Sequence, residues 1–258
     1  MAPDKTGGAV VTRRANGLVT TGCLTVLIAL AVILGIVVSW LWYRHWHDGN
    51  VNREREEKAF ASIGKQARAT ADDTARALGT SDTTDADALT GVIWQHSEAP
   101  VITYDASRRE FTATAARSAQ YDEDLMLPGG GPVKVTRCFV VTYTPRPGQA
   151  WTPRVSERDD DVCRPSTQIA SRVRLALTRI SSMYAEDLTR TGVQKALDPT
   201  GRRSFDVRNV AREGDKLTVS VLVSSSEAAV AQCYRFTRPA PGDDGQGSAT
   251  AVPTSSCS

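Results

Sequence analysis

"TRCFVVTYTPRPGQ" runs from Thr136 to Gln149, and "AQCYRFTRPAPGDD" runs from Ala231 to Asp244. Each sets a cysteine and then an aromatic on an alternating, strand-like run that closes on Thr and a Pro-x-Pro-Gly turn. Each is followed at nearly the same distance by a second cysteine, Cys163 and Cys257. The two runs read as the same strand of one unit written twice, and the segments before them agree. Ahead of the first, Phe60, Ile63, Ala67, Ala71, Ala75 and Leu78 recur at helical steps, and Glu54 precedes Lys58 by one favourable turn. Gly79 and the "TSD" that follows stop that helix, and Asp82 or Asp85 caps a short second one carrying Leu89, Val92 and Ile93. After Pro100 the period changes to two, giving strands "VITYDA", "FTATAARSA" and "VKVTRCFVVTYT".

The second half repeats that order. Ile169, Val173, Leu177, Ile180, Tyr184 and Leu188 form an amphipathic stripe in a helix opening at "TQIASR". Gly192 breaks it, "VQKAL" follows, and then come "FDVRNVAR", the turn "EGDK", "LTVSVLVSSS" and "AQCYRFTR". The expectation is an α+β protein of two tandem α-(α)-β-β-β units, each a helix packed on a curved antiparallel sheet. Residues 44–80 form a juxtamembrane helix leading into the first unit, 81–165 complete it, and 166–258 form the second. This element order resembles the cystatin-like and nuclear-transport-factor-like folds.

Between Arg14 and Arg44 no residue carries a charge, and the centre reads "CLTVLIALAVILGIVVSWLWY". A run of that length is long enough to cross a bilayer as a helix, placed at residues 17–43. Trp40, Trp42, Tyr43 and Trp46 gather at its end, where amphipathic rings anchor in the headgroup zone, and His45 and His47 lie among them. The run is too long for a signal h-region and no A-x-A-like site follows it, so an uncleaved anchor is expected. Basic residues flank both ends almost equally, so charge does not orient the helix. Four cysteines in the body (138, 163, 233, 257) suit an oxidising compartment. That puts the short tail, residues 1–16, in the cytoplasm and the body outside the cell membrane, and an excess of Arg over Lys, 25 to 6, resembles proteins of GC-rich bacteria such as actinobacteria. Cys23, inside the apolar run, reads as a small apolar filler.

Four cysteines allow three connectivities. A single ancestral unit had only its own two cysteines to pair, which selects Cys138–Cys163 and Cys233–Cys257. A zinc site would need closer pairs than these, and a redox C-x-x-C is missing. Beyond residue 47 the chain holds 27 basic against 28 acidic residues, a near-neutral body that argues against nucleic acid as a partner. The runs Asp122-Glu123-Asp124 and Asp159-Asp160-Asp161 lack the ligand spacing of a calcium loop and read as solvated loop charges. "PGGGP" lacks the Lys-Ser/Thr of a phosphate loop, leaving Leu127, Pro128, Gly129, Gly130, Gly131 and Pro132 as a candidate contact loop. His96 is the one histidine of the body, with no activated serine marked near it and no context that singles out Ser224, Ser225 or Ser226.

Tandem domains behind one N-terminal anchor look like assembly components of actinobacterial or Gram-positive envelope and conjugation systems. The expected work is therefore non-enzymatic binding, scaffolding or assembly at the envelope, with the bilayer and an envelope protein as partners and no cofactor. A ligand-binding or sensing module acting through a membrane partner is the alternative, its small-molecule ligand not specified by sequence.

Overall fold

The computed structural model describes residues 15–124, 130–146, 149–226, 230–239 and 247–257. It is a mixed α+β chain with one long apolar N-terminal helix and two four-stranded antiparallel sheets. Helix α1 (Ala15–Thr80) begins in the apolar run and continues without interruption into the body. Two compact units divide the residues. One holds the chain through Arg55 together with Asp122–Pro132, and the other holds Glu56–Tyr121 with Val133–Ser258.

In the first unit, Leu24, Ile28, Leu34 and Val38 are all more than half exposed, as are Trp40, Trp42, Tyr43 and Trp46. A helix this long and apolar, uncovered by its own chain, serves as a single membrane span or as a signal sequence. Past it, Asn52 donates to the Asp124 carbonyl at 2.8 Å and accepts from the Asp124 amide at 2.9 Å. Arg55 pairs with the Asp124 carboxylate at 2.8 Å. The acidic run at 122–124 is thus pinned by Asn52 and Arg55, not merely solvated. Of the candidate contact loop, Leu127, Pro128 and Gly129 lie outside the described residues. Gly130, Gly131 and Pro132 lead into the next strand, with the Gly131 carbonyl accepting from the Glu123 amide at 3.0 Å.

In the second unit, the rest of α1 lays Ala59, Ile63, Ala67, Ala71, Ala75 and Leu78 on the first sheet. Alanine every fourth residue lets the helix sit close to the strands. Asp85 caps α2 (Ala86–Ser97) by accepting from the Ala88 amide, and Leu89 and Ile93 face inward. The first sheet runs β1 (Val101–Asp105), β2 (Glu110–Asp122), β3 (Pro132–Arg146) and β4 (Gln149–Arg158) in simple consecutive order. The second sheet repeats that order with β5 (Phe205–Glu213), β6 (Lys216–Ser224), β7 (Ala231–Pro239) and β8 (Thr250–Thr254). Sequence periodicity leads to three strands in each; the fourth strands carry Pro153 and Pro253, which argue against a strand interior. Both are edge strands, where a missing N–H costs nothing, and the two prolines stand opposite Tyr143 and Tyr234 in register.

Helix α3 (Asp160–Ser181) starts before Pro165, whereas the sequence places its start beyond that proline. Asp160 and Asp161 fill its first turn, where the positive end of the helix dipole favours them, so this acidic run is a helix start and not a loop. The stripe holds through Ile180. Beyond Ser181 the chain turns through a 3-10 segment (Ala185–Asp187), leaving Tyr184 exposed. Gly192 does not end a helix. It lies inside α4 (Arg190–Leu197), its amide donating to the capping Thr189 hydroxyl. A Cβ there would come 2.1 Å from the Asp187 carbonyl oxygen. Gly192→Ala is therefore expected to cost roughly 1–3 kcal/mol by overpacking against backbone, measured as a lowered midpoint in denaturant.

The two sheets meet through β7. Along it Gln232, Tyr234, Phe236 and Arg238 all point inward. Gln232, 4% exposed, accepts from the Ile102 amide at 2.9 Å and donates to the Thr254 carbonyl at 2.8 Å, tying β1 to β8. The Tyr234 hydroxyl donates to the Pro100 carbonyl at 2.6 Å. Asp87 of α2 accepts from the Ser255 amide at 2.8 Å. Burial pushes the phenols of Tyr143 and Tyr234 above the ordinary tyrosine value. Folding then favours their neutral forms, so this stability is complete below pH about 10, the unfolded value, and falls above it. Tyr234→Phe is expected to flatten the alkaline loss of stability while costing about 1 kcal/mol near neutrality for the lost hydrogen bond. Denaturant midpoints from pH 7 to 11 measure both.

Candidate functional site

The end of α1, the start of the following linker, α2 and the β1–β2 and β3–β4 ends of the first sheet surround an open cleft of about 1370 Å³. Its floor is aromatic. Tyr104 stacks on Phe111 with centroids 4.6 Å apart, and Trp151 tilts against Phe111 at 5.8 Å. The strand register explains the grouping: Tyr104 of β1 stands opposite Phe111 of β2, and Trp151 opens β4. Leu78 and Leu89 extend the apolar wall from the helices.

The rim is charged. Asp73 shares its carboxylate between Arg76 at 2.9 Å and the His96 ring nitrogen Nδ1 at 3.1 Å. Arg109, across from them in the β1–β2 turn, lines the cleft with its backbone in the left-handed region at φ 55°. The turn is held by Asp105, which accepts from the Ser107 hydroxyl at 2.6 Å and the Ser107 amide at 2.9 Å. The Ser107 hydroxyl, before any other cause, draws the exposed Asp105 carboxyl below its usual range. Arg108 folds back towards Asp105 at 3.9 Å. That leaves Arg109 as the turn's guanidinium with no hydrogen bond or ion pair among the described residues.

His96 is thus paired with an acid, yet no hydroxyl or thiol hydrogen-bonds to it among the described residues. The Thr80 hydroxyl donates to the Ala77 carbonyl at 3.1 Å, and that of Thr83 accepts from the Asp85 amide at 3.0 Å. Ser226 is committed to Gln168 and Ser225 is buried. Among the described residues no three His, Cys, Asp or Glu side chains gather as a metal would need.

The cysteines sit elsewhere. Cys138 on β3 faces Cys163 in the first turns of α3, and Cys233 on β7 faces Cys257, with Cα–Cα distances of 5.5 and 5.4 Å, both within disulfide reach. Cys163 lies in a helix, not in the loop that sequence implies. No single stretch of sequence shows the aromatic floor, because its three rings come from three strands. The register of a hairpin whose turn centres on "SRR" was the one signal that sets Tyr104 beside Phe111.

No protein-family model matches the chain, and none of the curated proteins does. Among solved structures, one described as an Ntf2 like protein involved in plasmid conjugation is 12% identical over 60% of this chain and 74% of its own, with a TM-score of 0.15. A likeness at that score carries no argument.

Proposed function

We propose that this chain is a single-pass protein of the bacterial cell envelope that works by binding, scaffolding or assembly and not by catalysis. In this reading residues 1–16 are cytoplasmic, residues 17–43 cross the bilayer, and the body lies outside as two duplicated α+β units. The observation that carries it is the apolar stretch of α1, with none of its most apolar window buried within the chain and its end edged by Trp40, Trp42, Tyr43 and Trp46. The two cysteine pairs at disulfide distance support an oxidising location for the body. Matching strand order and matching edge prolines support the duplication.

The test is made on the full chain in its own membranes. Carbonate washing should leave it in the membrane, external protease on spheroplasts should digest the body, and N-terminal sequencing should recover the start of the tail. Cross-linking should then capture a distinct protein with it. A mature N-terminus beyond residue 43, or a chain recovered only as monomer, overturns the reading. The cleft favours a second reading, a ligand-binding module that passes occupancy to a membrane partner.

A further inference from the structure

We infer that the cleft takes a small organic anion carrying a flat, apolar ring, an inference that rests on the second reading, in which the cleft is a ligand site. The floor supplies the ring's half of the match. Tyr104 and Trp151, each half-buried, offer ring surface to the cleft and are held by the fully buried Phe111 beneath them at centroid distances of 4.6 and 5.8 Å. A cavity of about 1370 Å³ leaves room for such a ring and more.

The polar groups decide the sign of the charge. The acid of the cleft, Asp73, already has Arg76 and His96 on its two oxygens. Of the carbonyls at the end of α1, which would suit a cation, those of Ala77 and Leu78 are met from within the chain: the Thr80 hydroxyl donates to Ala77, and the Ser81 amide lies 3.4 Å from the Leu78 oxygen. Of the charged side chains lining the cleft, Arg109 is the one left without a partner among the described residues. Arg109 brings a guanidinium, Tyr104 a hydroxyl and Trp151 an indole N–H, and none has a hydrogen-bond partner among the described residues. A guanidinium fork beside two neutral donors matches a carboxylate or a similar oxyanion. A cationic ligand would meet Arg109 uncompensated.

The full chain in nanodiscs, with empty nanodiscs as the blank, is dialysed to equilibrium against three probes. They share one ring: naphthalene-2-carboxylate, naphthalene-2-carboxamide and 2-naphthylmethylammonium. Saturable binding of the carboxylate, at least about tenfold tighter than of the other two, is expected from one charge-assisted contact. Arg109→Gln should remove that preference while leaving carboxamide binding in place. Trp151→Leu should weaken the carboxylate and the carboxamide alike, and Arg108→Gln should change nothing. Melting curves check that each variant is folded, and Arg109→Lys, which keeps the charge, should retain most of the preference. A preference for the ammonium probe overturns the anion assignment, and a carboxylate preference that survives Arg109→Gln overturns the role given to Arg109; either leaves the cleft as a ligand site. Failure of the wild-type chain to bind any of the three overturns both.

Discussion

Arg238→Ala is expected to cost the folded body roughly 3–5 kcal/mol, seen as a lowered denaturant midpoint of the full chain in nanodiscs. Arg238 is 1% exposed on the inward face of β7, and its Nη1 donates to the carbonyls of Ile180 at 2.7 Å and Met183 at 3.0 Å. The Ile180 oxygen lies in the last turn of α3, where its amide contact, from Met183 at 3.4 Å, is long, and the Met183 oxygen lies just past the helix end. A cation there also meets the negative end of the helix dipole. Against this stands the cost of taking a guanidinium out of water, which draws the Arg238 pKa down. The two effects are separated by a second variant. Arg238→Met fills most of the space and removes the desolvation cost, but it takes the donor from the Met183 carbonyl, at about 1–3 kcal/mol, and leaves the Ile180 carbonyl with only the long Met183 amide contact. If the hydrogen bonds dominate, Met stays clearly below wild type and above Ala. A Met variant as stable as wild type would mean that the guanidinium is tolerated there, not needed.

Arg238 also marks how far local sequence patterns reach. Alternation along "AQCYRFTR" puts Tyr234 and Phe236 on one face, and the same alternation puts Gln232 and Arg238 beside them. Polar residues on an apolar face announce that something distant must be met. They do not say that it is the end of α3 in one case and β1 in the other, because those partners come from over 50 and over 120 residues away. The coarse architecture was readable for the opposite reason: the helix stripes and strand alternations that define it are local. Pro153 and Pro253 fit β4 and β8 because an edge strand need not make the hydrogen bond that proline lacks, and Pro165 fits the first turns of α3, near the end where amides have no intrahelical partner. Gly192 was read as a break when its role is to let a carbonyl approach. The cleft was the least legible part. Its aromatic floor joins β1, β2 and β4, and its acid and histidine come from two helices, so no single window of sequence contains it.

Removing either cysteine pair is expected to cost about 3 kcal/mol, the loop-closure value for cysteines 25 and 24 residues apart. The two losses should differ in kind. Cys138 and Cys163 are both buried and join β3 of the first sheet to α3, whose Ile169 and Val173 belong to the core of the second. Cys138→Ala with Cys163→Ala therefore loosens the body at its middle, and a single lowered, still cooperative transition is expected. Cys233 and Cys257 instead fasten the last strand, which leaves the chain at Ser255 against Asp87 of α2. Cys233→Ala with Cys257→Ala should free that end first, so that amide exchange rises in β8 and α2 before the rest of the body opens. Peptide mapping without reductant decides the pairing on which both expectations stand. A peptide joining Cys138 to Cys233 would remove them together, because a bridge between β3 and β7 would close a different loop and hold neither α3 nor the C-terminal strand.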